Sequence, residues 1–179
     1  MRFLLKIEDV SSITRDDLPE EFGEGAFNTI DEFIKKTHNL DYEFVLYFDY
    51  SSGKIIKCVK GNENKVLMEF EDGEFEGYNI ASIHNHSKGL LSAPSDINFG
   101  IFSRSFEEYE LIAGFDSFWI LKAKVVDKKL MYELNVYSRY ISQASLEECS
   151  LRYNDAEMIA KMHDIKYGNQ LLKYINDKT

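Results

Sequence analysis

The stretch IHNHSKGLLSAPSD, Ile83 to Asp96, holds two of the chain's four histidines with a single residue between them, and an aspartate ten positions after the second. On an extended strand side chains alternate in direction, so His84 and His86 share one face and Asn85 takes the other. Two imidazoles side by side can chelate a divalent cation. Asp96, carried in by the loop, supplies a third ligand and leaves a fourth position for water, which is the arrangement of a catalytic Zn²⁺. A bound zinc ion draws the pKa of that water towards neutrality. Such a site also needs a carboxylate off the metal to take the water's proton. Taken alone, a histidine pair of this spacing is a weak motif, because surface histidine pairs are common.

The elements that must position these residues can be outlined from pattern. Phe27 to Asn39 places Phe27, Ile30 and Ile34 on one helical stripe. Tyr42 to Gly61 contains two β-rich runs flanking Ser51-Ser52-Gly53, which predicts a hairpin. KVLMEFEDG, from Lys65, suits a strand or a short helix equally. NIASIHNH predicts a buried strand with the histidines at its C-terminal end, and PSDINF predicts a helix start. Three strands are expected next: Leu111 to Ala113, Ser117 to Val126 and Leu130 to Tyr137, with turns at 114–116 and 127–129. The C-terminal segment places Met158, Met162, Ile165, Leu172 and Ile175 on a helical stripe, with Gly168 as its weak point. The class is α+β.

These parts, in this order, resemble the JAMM/MPN metalloprotease family, also called JAB domains, and in particular its RadC-like and phage-type prokaryotic branches. Glu43 in DYEFVLYFDYSSGKII resembles the family glutamate ahead of an apolar strand. IASIHNH resembles the strand presenting the two histidine ligands, and SAPSDINF resembles the segment carrying the serine and the last ligand. EYELIAGFDSFWILK resembles the strand pair that follows. The resemblance covers about Glu43 to Val126.

The resemblance implies an MPN/cytidine-deaminase-like layered fold, a central mixed β-sheet with flanking helices. It implies a Zn²⁺-dependent hydrolase of a peptide or isopeptide bond. His84, His86 and Asp96 would be its ligands, Glu43 its general base, and Ser92 or Ser95 the donor to the oxyanion. The substrate would be a protein or peptide, such as a conjugate of a ubiquitin-like protein. The chain departs from the family where Pro usually follows the second histidine; Ser87 stands there. The usual serine and ligand positions fall on Pro94 and Ile97, so Asp96 comes one residue early and Ser92 and Ser95 straddle the serine position. Ser95 with Asn98 is the competing register; Asp96 is preferred because an anionic carboxylate binds a divalent cation better than an amide. Ser95 or Asp96 could also cap the helix after Pro94. Members of such a fold that lose ligands serve as scaffolds, so a non-catalytic MPN-type scaffold or binding module is the alternative, and a homodimer is compatible with both.

Composition narrows the remaining classes. At 179 residues one domain is expected, with a JAMM/MPN-like unit over 1–140 and a helical extension over 141–179 packed on it or mediating association. A net charge of -10 argues against nucleic acid, whose non-specific recognition needs clustered cations. No apolar run reaches membrane length, and the N-terminal run, interrupted by Lys6, is too short for a signal peptide. Cys58 and Cys149 form no disulfide framework and are expected as buried reduced thiols, consistent with a cytoplasmic location. The acidic run Glu69 to Glu76 is expected as a solvated loop, His38 at the surface, His163 as structural and Trp119 in the core.

Overall fold

The structure, a computed structural model, describes residues 4–62, 66–87, 92–95, 106–122 and 128–178. Six strands form one sheet: β1 (Leu4–Ile7), β2 (Phe44–Asp49), β3 (Ile55–Lys60), β4 (Ile80–Asn85), β5 (Glu107–Ala113) and β6 (Phe118–Lys122). Their order across the sheet is β1-β6-β5-β4-β2-β3. β4 and β5 pair in parallel, and the other described pairs are antiparallel. Among the described residues three α-helices flank it, α1 (Glu24–Thr37), α2 (Lys128–Arg152) and α3 (Ala156–Lys178). The protein is therefore α+β with a mixed sheet.

Alternation along the strands divides the core. Leu46, Phe48, Ala81, Ile83, Leu111 and Ile120 face α1 and bury its stripe of Ala26, Ile30, Phe33 and Ile34. On the opposite face Ile112, Trp119 and Leu121 meet Leu134 and Ile141 of α2 and Tyr167, Leu171 and Ile175 of α3. At the other end of that face Val45, Tyr47, Phe75 and Ile80 form an aromatic-rich cluster with Met68 and Phe106. The registers align Val45, His84, Ile112 and Trp119 in one row across four strands. His84 thus lies between the two clusters.

The predicted hairpin is present: Gly53 has φ of 81°, and β2 and β3 pair on either side of it. The turn also seats α1. A Cβ on Gly25 would fall 2.1 Å from the Ser52 carbonyl oxygen, so only glycine allows this approach. Thr29 donates to the Gly53 carbonyl at 2.8 Å.

Several expectations are corrected. Residues 130–137 are helical, not a strand. The segment fits both periods, but the strand reading would bury Tyr132 and Val136 with Leu134, and these are 73% and 49% exposed. The helical stripe instead continues through Leu134, Ser138, Ile141, Ser145 and Cys149, all buried. The expected boundary at 140/141 falls inside α2. On α3 the buried stripe is His163, Tyr167, Leu171 and Ile175, whereas Met158 and Ile165 are exposed. Gly168 lies on this buried stripe, where the Trp119 ring comes to 3.1 Å of where a Cβ would stand. Residues 66–70 form neither strand nor helix. Leu4–Ile7, assigned no element from sequence, is an edge strand on β6. Cys58 is exposed and only Cys149 is buried. The acidic run is exposed for most of its length, but Phe75 within it is buried and Glu74 pairs with Lys57 at 2.9 Å. Trp119 is core, as expected, and His163 lies on α3 and is buried. No described helix is long and apolar enough to cross a membrane. The helix start expected at Pro94–Phe99 lies largely outside the described residues.

Candidate active site

β4 is buried along its whole length, which carries His84 into the interior and leaves His86 just past the strand end. The His86 N–H donates to the Ala113 carbonyl at 3.0 Å, holding the chain against the end of β5. The two rings tilt towards each other, and their Nε2 atoms stand 3.1 Å apart. Tetrahedral zinc with Zn–N bonds of about 2.0–2.1 Å separates two ligand nitrogens by about 3.3 Å. The pair therefore fits a bidentate claim on such an ion with little adjustment. His84 Nδ1 lies 3.5 Å from Oε1 of Glu110, a buried carboxylate on β5. A carboxylate behind a ligating imidazole fixes its tautomer and ring orientation and raises its basicity.

Glu43 immediately precedes β2. Val45 pairs with His84, so extending that antiparallel register by two residues lays Glu43 opposite His86, on the histidines' face. Asn85 sets this placement. Its side-chain oxygen accepts from the Phe44 N–H at 2.7 Å, and its NH₂ donates to the Tyr42 carbonyl at 3.0 Å. On the other side Glu43 exchanges backbone hydrogen bonds with Gly61 and Asn62. The Glu43 side chain is only 8% exposed, and burial pushes its pKa up to about 7.

Ser92 is buried against Gly114, where a Cβ would come within 2.3 Å of the serine's own Cβ. Gly114 follows the Ala113 that anchors His86, so Ser92 and the histidine pair share the C-terminal end of the parallel strands. The Ser92 hydroxyl accepts from the Asp116 N–H at 3.3 Å, and it lies on the side of Asp164 of α3, whose carboxylate it helps to stabilise. The Asp164 carboxylate also accepts the N–H groups of Ser92 at 2.9 Å and Ala93 at 3.2 Å. Burial pushes the Asp164 pKa up, against these hydrogen bonds. Tyr167 donates to the Pro94 carbonyl. Ser95 lines a cavity of about 330 Å³ with Ser138, Arg139 and Tyr167. Asp96 and its rival Asn98 lie outside the described residues. Among the described residues no group of three His, Cys, Asp or Glu side chains is placed to hold an ion.

Four residues at this site escaped the sequence reading. Glu110 had a signal, a lone carboxylate inside the apolar run YELIA. Asn85 had a weaker one, as the residue between the histidines. Asp164 and Tyr167 had none, because their partners lie more than seventy positions away.

Comparison of the chain with models of known families, with curated proteins and with solved structures gives no match.

Proposed function

We propose that the protein is a zinc-dependent hydrolase of peptide or isopeptide bonds, of the JAMM type and on an MPN-type fold. The observation that carries this reading is the convergence of the His84 and His86 Nε2 atoms at 3.1 Å, with the Glu43 position on the same face across the strand. His84, His86 and, from the adjoining loop, Asp96 would hold the ion. When bound, zinc supplies Lewis-acid polarisation of the scissile carbonyl and a water acidic enough to deprotonate near neutral pH.

The chain's own residues do the rest. Glu43, with a pKa near 7, is poised to accept a proton from water and return it to the leaving amine. Glu110 orients His84. Ser92 is the assigned donor to the oxyanion, exchanging its Asp164 contact for the substrate, and Ser95 is the alternative. The substrate class is a protein or peptide, with a ubiquitin-like conjugate as the specific form, in the cytoplasm.

A second reading, a non-catalytic MPN-type scaffold, is favoured by one observation: the Ser92 hydroxyl is buried and already engaged by the Asp116 N–H. Elemental analysis of protein purified without chelator or histidine tag separates the two. The hydrolase reading expects about one zinc per chain. No transition metal, even after zinc is added back, leaves the scaffold.

A further inference from the structure

We infer that the protein self-associates through α2, as an antiparallel pair related by a two-fold axis near Ser138. At 100° per residue, Lys129, Tyr132, Val136, Tyr140, Gln143 and Glu147 fall on one stripe, directly opposite the buried face of Leu134, Ile141 and Ser145. Tyr132 and Tyr140 are 73% and 70% exposed. Three large apolar side chains exposed together at the centre of this outward stripe, Tyr132, Val136 and Tyr140, call for a second cover.

Charge selects the occupant. Lys129 stands in the first turn of α2, where the helix dipole does not favour a cation, and Glu147 lies on the same stripe before the last turn, which carries Arg152. Two copies packed antiparallel set Lys129 of each against Glu147 of the other, so each end of the contact pairs a cation with an anion. The same axis lays Val136 against Tyr140 and Tyr132 over the small Ala144. Parallel packing would instead oppose lysine to lysine and glutamate to glutamate. The chain's net charge of -10 acts between copies only at long range and is screened beyond about 8 Å at physiological ionic strength. Two tyrosines per copy, each burying roughly 150–250 Å², with their neighbours bring the contact near the lower bound of stable interfaces, about 1,200 Å². A reversible, concentration-dependent dimer follows.

Sedimentation velocity of the full chain at physiological ionic strength, over a wide concentration range, is the test. The wild-type chain shifts from one to two copies as concentration rises. Val136→Asp and Tyr140→Asp, both at exposed positions, stay monomeric with unchanged circular dichroism. Lys129→Glu and Glu147→Lys each weaken association by about three- to tenfold, and the double exchange restores it. A wild-type chain that stays monomeric throughout overturns the inference. So does a dimer indifferent to Val136→Asp, and so does a double exchange that fails to rescue.

Discussion

Glu43 combines burial with a carboxylate, and the cost shows in its pKa of about 7 against an ordinary 4.5. A raised pKa means the fold prefers the protonated form. The associated stability is complete below about pH 4.5 and is lost as pH rises through about 7, a change of roughly 3 kcal/mol. Glu43→Gln stays neutral throughout. In chelator-treated protein, urea unfolding at about pH 5 and about pH 8 should show the wild type losing ground to the variant at the higher pH. Parallel behaviour of the two would mean that Glu43 is not held in a desolvated place. With zinc restored, the same variant should keep its metal and lose hydrolysis by at least about a hundredfold. On the hydrolase reading, Glu110 would act one step further from the chemistry. Glu110→Gln keeps its shape but removes the charge behind His84, and zinc affinity should fall about ten- to a hundredfold by calorimetric titration. Affinity equal to the wild type would remove Glu110 from the site.

Among the elements, α3 has the least obvious role. It packs on the sheet through Tyr167, Leu171 and Ile175, yet two of its polar groups reach the segment 92–94. Asp164 takes two backbone N–H groups that would otherwise lie unsatisfied beside Gly114. Asp164→Ala should therefore destabilise the protein by about 1–3 kcal/mol. Hydrogen exchange should locate the effect, with the Ser92 and Ala93 amides losing protection while those of β4 keep theirs. Unchanged exchange at both amides would show that the loop is held by other contacts. Asp164→Asn retains an acceptor oxygen and should recover much of the loss.

At the scale of the whole molecule, the metal reading predicts coupling between binding and folding. His84 sits in the row joining β2, β4, β5 and β6, between the α2/α3 cluster and the aromatic cluster, with His86 just past the end of β4. An ion held there binds the folded chain and not the unfolded one. Stripping zinc should lower stability by about 2.7 kcal/mol relative to protein with free zinc at a hundred times Kd. Restoring zinc should reverse the shift, and magnesium should not, since it favours oxygen ligands. A melting temperature indifferent to chelation and to added zinc would count against the site.

What the sequence determined by itself was local. Ser51-Ser52-Gly53 specifies a hairpin because glycine alone enters φ of 81° freely. The stripe of Ile30 and Ile34 specifies α1, and the alternation in IASIHNH places both histidines on one face. These features depend on neighbours a few positions apart, which a sequence displays directly. Segment 130–137 shows where that stops. Its apolar residues satisfy period two and the helical period together, and only burial of Leu134 and Ile141 under β6 and β1 selects the helix. The inward stripe of α3 was decided in the same way, by burial of Tyr167, Leu171 and Ile175 against Trp119 and its neighbours. The setting of the site belongs wholly to tertiary structure. Glu43 comes opposite His86 because β2 pairs with β4, and Glu110 comes behind His84 because β5 runs parallel beside it. Asp164 reaches Ser92 because α3 crosses that strand end. Periodicity records which way a side chain faces, but not which strand or helix it will meet there, since that choice is made by burying distant apolar surfaces against one another.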